Sequence, residues 1–242
     1  MKGNDIYEVR ARIFPAIVSM VIPFILTSLL LEDIMESVSD SNITIVRYAI
    51  PFIPIALVYA ALGYFLRNLF CDISKLVIEG MCYGQDKHRM PTTEMLLWKD
   101  GTFDDSYKQL MRTKILRDFG LKLPSKKSEH DDINNARRSI AGAMGPVRQM
   151  CRHDDILLKY NIRYGFWRNF SGGNLVAFML VLVLMLVNVK AQLLPTEYFW
   201  LAFATIIILA IMAILLMKMQ ARDYAQQLFS TYLALNLNNT EK

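Results

Sequence analysis

Four stretches without a single Asp, Glu, Lys or Arg constrain this chain more than any other feature: residues 13–31, 48–66, 175–189 and 198–217. At about 1.5 Å per residue, an apolar run of some twenty residues crosses roughly 30 Å of hydrocarbon as a helix. Helices and closed barrels are the only folds that satisfy every backbone group there, and nothing in the chain alternates like a barrel strand. The third run is short and ends at Lys190. It needs residues 192–194 and a snorkelling Lys190 to complete a crossing, so the predicted span is 175–194. The expected fold class is an all-α integral membrane protein, with four transmembrane helices in two hairpins and a mainly helical cytoplasmic insert between them.

This gives an N-terminal region with the first hairpin (1–66), a basic insert (67–170), a second hairpin (171–217) and a C-terminal helix and tail (218–242). Pro15 falls where a first helical turn costs no hydrogen bond, whereas Pro23 lies mid-span and should kink the helix. Pro51 and Pro54 stand near the start of the second span. With Ser19, these four prolines are the candidate pore or kink residues. Ala60, Ala61 and Gly63 allow a close helix contact. The first run has no cleavage-type site after it and is read as a retained span.

Residues 32–46 carry Glu32, Asp33, Glu36 and Asp40 and no Lys or Arg, whereas Lys2, Arg10 and Arg12 precede the first span and Lys218 and Arg222 follow the fourth. The bias of Lys and Arg places both termini and the insert on the cytoplasmic side of the membrane. The insert holds 19 Lys/Arg against 13 Asp/Glu. Such a surplus suits anionic lipid, nucleic acid or a small nucleotide, and charge alone does not choose among them. Cys71, Cys82 and Cys151 have no CxxC spacing and read as reduced thiols.

Within the insert, residues 103–119 have Asp104 and Asp105 at the head, Arg117 near the tail and Gly120 as a stop, the pattern of a helix aligned with its dipole. A second helix capped within 128–132 is expected to break at Gly145-Pro146. A third runs from Val147, interrupted at Asp154-Asp155, toward Tyr164. Residues 76–81 read as either helix or strand. The tail repeats Tyr224, Leu228, Tyr232 and Leu235 at helical spacing, which gives it an apolar side.

Two strings carry candidate function. His88 to Glu94 sets Arg89, Thr92 and Thr93 at a helix start, a pattern that suits an anion, though a plain capped helix has the same look. With Arg117, Lys126, Lys127, Arg137 and Arg138, these are the candidate contacts for a partner or signal. Asn161 to Asn169, followed by Gly172-Gly173, places Arg163, Tyr164, Trp167 and Arg168 beside a glycine hinge. These six residues are the candidates for coupling the insert to the membrane, against the plainer reading of an interfacial aromatic anchor. No HExxH, GxSxG or phosphate-loop pattern occurs, and Asp131, Asp132 and Asn134 lack EF-hand spacing. The expectation is a non-enzyme with no metal and no cofactor.

From Met90-Pro-Thr-Thr through Arg117-Asp-Phe-Gly-Leu-Lys-Leu-Pro124 to Asn161-Ile-Arg-Tyr-Gly-Phe-Trp-Arg-Asn169, the insert resembles a group of uncharacterised bacterial membrane proteins. The layout resembles transmembrane effectors that accompany anti-phage modules such as retrons and cyclic-nucleotide signalling cassettes. The resemblance implies a pore-forming or membrane-disrupting toxin of abortive infection. Such a protein is held silent by a regulatory partner from the same operon or by lack of its signal, and then forms a homo-oligomer or opens in the lipid bilayer. No recognisable sensor domain is present, which leaves the trigger open. The alternative is a non-toxic scaffold whose basic insert recruits a nucleoprotein or enzyme.

Overall fold

The structure, a computed structural model, describes residues 3–31, 44–84 and 87–235; the side chains of residues 3, 4 and 44–52 lie outside that description. Most of the expected acidic loop, residues 32–43, falls outside it too, as does the end of the tail, residues 236–242. The fold is all-α, and no strand occurs among the described residues. Four helices are long and apolar enough to cross a membrane: Asp5–Leu30, Ile53–Tyr83, Asp155–Ala191 and Thr196–Ala234. They are called the first to fourth spans below.

Each span outruns its apolar run, and the third shows why the sequence-based boundary fails. Its expected end at residue 194 is replaced by a helix end at Ala191. Gln192 adopts a left-handed backbone (φ 53°), and the Asn188 side chain holds both the carbonyl and the N–H of Leu194, at 2.8 and 2.9 Å. The extra length comes from the other end, where the helix continues back through Gly172-Gly173 to Asp155.

By contacts the chain divides into two compact units, Met1–Ile78 with Gly165–Leu216 and Glu79–Tyr164 with Met217–Lys242. In the first, the membrane unit, the first span is not a uniform helix. It has a π-helical segment at Glu8–Ile13, an α-helix at Phe14–Ser19 and a second one at Val21–Leu30. The break falls at Met20 (φ −83°, ψ −5°). Pro23 then lies in the first turn after the break, where its missing N–H is tolerated, so the expected kink sits one turn before the proline. Pro15 is the second residue of the α-helix that follows the π-helical segment. In the second span the helix Thr44–Ile73 runs through Pro51 and Pro54, with Pro54 exposed, and passes into a π-helical turn at Ser74–Ile78. Ala16, Met20, Phe70, Ala177, Val181, Phe199, Phe203 and Ile206 form the core of this unit. Gly63 lets the first span approach, since a Cβ there would lie 3.1 Å from the Ile17 Cα.

The second unit is a helical bundle. Asp104 caps helix Asp105–Phe119 by accepting from the Tyr107 N–H at 2.6 Å, and Gly120 ends it in a left-handed turn (φ 68°). Asp132 caps Ile133–Met150 by accepting from the N–H groups of Asn134 and Asn135. That helix does not break at Gly145-Pro146. An interior proline costs about 3 kcal/mol, but Ile140, Ala143, Met144 and Val147 on both sides of it are buried in one core, and each large side chain returns roughly 1.5–3 kcal/mol. Leu228 and Tyr232 of the C-terminal stripe are fully buried in the same core, with Tyr224 and Leu235 packed against it.

Candidate functional site

The third span brings its small and polar residues together in the membrane unit. A Cβ at Gly165 would lie 2.9 Å from the Tyr7 hydroxyl and 3.0 Å from the Ala11 Cβ. At Gly172 it would collide with Ser74 Oγ and the Phe70 carbonyl oxygen, and at Gly173 with Ser19 Oγ. The first and second spans therefore lie directly on the backbone of the third, a separation that only glycine permits.

Polar groups fill this contact. Arg168, Asn169, Ser171 and Asn174 of the third span are buried, as are Ser19, Cys71 and Ser74 opposite them. Asn169 Nδ2 donates to the Ala11 carbonyl at 2.5 Å. Ala11 lies four residues before Pro15, whose ring nitrogen carries no N–H to bond that carbonyl in α-helical register. The third span thus supplies a donor where Pro15 offers none. Arg168 Nε donates to Asn169 Oδ1 at 3.2 Å, and its Nη2 lies 3.5 Å from Cys71 Sγ. Ser74 and Ser19 turn their hydroxyls back onto their own helices, to Phe70 and Ala16 carbonyls at 2.6 and 2.9 Å. Asn174 Nδ2 is buried and has no hydrogen-bond partner.

Both π-helical segments among the described residues meet this junction: Ala11 belongs to one and Ser74 to the other. Widened turns of this kind carry frustrated backbone bonding and concentrate at functional positions. Just beyond, Glu8 pairs with Arg12 at 2.9 Å and with Arg67 at 3.0 Å, tying the first and second spans by charge. Gly172, Gly173, Arg168 and Ser19, all singled out from sequence, converge here. Trp167 packs edge-on against Phe166 and Phe170, and Arg163 is exposed, 5.8 Å from the Tyr160 ring. Tyr164 belongs to the other unit, where its hydroxyl donates to Glu79, which also pairs with Lys87 at 2.8 Å.

The candidate partner contacts are not gathered into one surface. Thr92 and Thr93 are buried, and the Thr92 hydroxyl accepts from Arg148 at 3.0 Å. Arg137 grips Glu94 with two bonds, at 2.5 and 3.1 Å; that hydrogen bonding outweighs burial and raises its pKa. Lys126 pairs with Asp105 at 2.6 Å, and Arg117 with Asp118 at 3.0 Å. Arg89, Lys127 and Arg138 are exposed.

Three buried charges that sequence reasoning passed over hold the segment 96–100. Glu129 accepts from the N–H groups of Trp98 and Lys99 at 2.8 and 3.0 Å. Arg112 donates to the Leu96 carbonyl at 2.6 Å and to that of Pro124, with its guanidinium 4.3 Å from the Trp98 ring centre. Lys108 donates to the carbonyls of Trp98 and Asp100. Their signal was present in the sequence: Lys108 and Arg112 are one turn apart on the same face as Met111 and Ile115.

Among the described residues, no group of three His, Cys, Asp or Glu side chains could hold a metal ion. No family model matches the chain, and no curated protein or solved structure matches it either.

Proposed function

We propose that this chain is a bacterial inner-membrane effector of anti-phage defence. Its cytoplasmic helical unit receives a signal, and the junction of the first three spans is the element that yields. The membrane barrier then fails, and the infected cell stops growing or dies. One observation carries this reading: polar groups, Arg168 and Asn169 among them, are buried among spans and satisfied across them. Those bonds last only while Ala11 and Cys71 stay against the third span. Drawn apart, the same groups need water, and polar groups exposed in hydrocarbon cost several kcal/mol each unless water or protein meets them. The cytoplasmic placement rests on the distribution of Lys and Arg.

Induced expression in cells loaded with a potential-sensitive dye tests the proposal. Depolarisation should precede loss of viability, and Asn169→Leu should change its onset. Toxicity with an intact membrane potential would refute a membrane mechanism.

A scaffold reading is favoured by Lys127 and Arg138, which are exposed cations of the helical unit. If it is right, Lys127→Glu with Arg138→Glu abolishes recovery of a bound nucleoprotein or enzyme, and overexpression of the parent is harmless.

A further inference from the structure

The second span is the least covered of the four. Inside the molecule 17% of its apolar window is buried, against 28–39% for the others. Its uncovered side chains are not scattered. Leu57, Ala61, Phe65, Asn68, Asp72 and Leu76 recur every three or four residues, are all exposed, and share about 100° of arc on a helix.

Lipid accounts for one end of this face. It does not account for the other. Leu76 is 80% exposed and lies beyond Arg67, Asp72 and Lys75. Those charges mark where water begins, and about 13 Å of helix separates Arg67 from Leu76. Whatever covers this face must run alongside it in hydrocarbon and continue into water.

We propose that the occupant is a second copy of this chain, docked second span against second span, parallel, about a two-fold axis. A copy has the required shape, because its own helix passes through lipid and out again at the same height. The charges fit as well. Asp72 and Lys75 lie one turn apart on this face, 3.8 Å from each other within the chain. In a parallel pair each Lys75 comes within reach of Asp72 of the second copy, so the polar end is neutral and self-complementary. Ala61 keeps the middle of the seam narrow enough for close approach. From Ile53 to Leu76 the seam is about 35 Å long, enough for a side chain at every turn to meet its counterpart. The pairing goes beyond the effector reading and does not depend on it.

The test uses full-length protein in the membranes of expressing cells. Leu76→Cys and Phe65→Cys are compared with Val183→Cys and Ile207→Cys, lipid-facing positions on the third and fourth spans, after oxidation with copper phenanthroline. The unaltered chain gives the background, since Cys71 and Cys151 are buried and only Cys82 is partly open. Covalent dimer at 65 and 76 should exceed the controls by about tenfold, the advantage of held over colliding neighbours. Equal yields at all four positions, or an adduct to a different protein at Leu76→Cys, overturn the proposal. As a second measurement, subunits are counted by photobleaching in phosphatidylethanolamine and phosphatidylglycerol liposomes. The parent and Leu76→Met should bleach in two steps and Leu76→Lys in one, and a one-step parent overturns the pairing. A harmless protein that still cross-links at Leu76 leaves the pairing standing while the effector reading falls.

Discussion

Arg112 and Arg168 are buried to nearly the same extent, 7% and 8% exposed, in units of opposite character. In the helical unit, burial lowers the pKa of Arg112, and the neighbouring Glu129 charge pulls it back up. Its guanidinium is held by carbonyls of Leu96 and Pro124. Leu96 belongs to the segment 96–100 that Glu129 and Lys108 also hold, so the charge serves local packing. In the membrane unit, the partners of Arg168 include an amide on its own span and a thiol on the second span, and the same amide reaches the first. The difference lies in what satisfies a buried cation. Arg112 stiffens one domain, whereas Arg168 makes the stability of one helix conditional on the position of two others.

The largest expected effect is at Gly172. Gly172→Ala puts a methyl group against the Phe70 carbonyl, which cannot swing aside as a side chain can, and should destabilise the membrane unit by about 3 kcal/mol. Unfolding in mixed micelles by SDS titration measures it. Next is Asn169→Leu, which leaves the Ala11 carbonyl buried without its donor and should cost about 1–3 kcal/mol in the same assay. If Asn169→Leu is neutral, the dependence of the third span on the first is absent and the comparison fails.

Acid should separate the units. Burial would raise the Asp118 carboxyl, but the ion pair with Lys114 at 3.1 Å and hydrogen bonds from Arg117 and Tyr232 together hold it below the usual range. A depressed carboxylate contributes stability that is fully present above its unfolded pKa, near 4, and is lost as pH falls through the lower folded value. The helical unit of the parent should therefore lose stability below about pH 4, by tryptophan fluorescence. Tyr232→Phe removes the bond at 2.9 Å and should flatten that loss. The smallest effect is a control. Gly142 has no atom within 4 Å of a Cβ, so Gly142→Ala should stabilise helix Ile133–Met150 by about 0.5–1 kcal/mol.

The sequence carries the spans, the helix caps at Asp104, Gly120 and Asp132, and the glycines of the third span, because each is a local matter of charge, capping or a missing side chain. Pro146 misleads for the opposite reason, since its local cost is outweighed by core contacts that come from elsewhere in the chain. The candidate contacts Arg137, Thr92 and Lys126 were legible as polar side chains but not as engaged ones. Arg137 meets Glu94 and Arg148 meets Thr92 across 43 and 56 positions, a distance that no periodicity spans. From sequence, Arg168 is a coupling candidate or part of an interfacial anchor, because the apolar run begins at residue 175. The helix instead carries it back into protein.

The turn after Ala191 has a mechanical consequence. Because Asn188 grips Leu194 through both its amide oxygen and its amide nitrogen, the end of the third span and the turn that leaves it are tied together, and straightening that turn would tear two bonds.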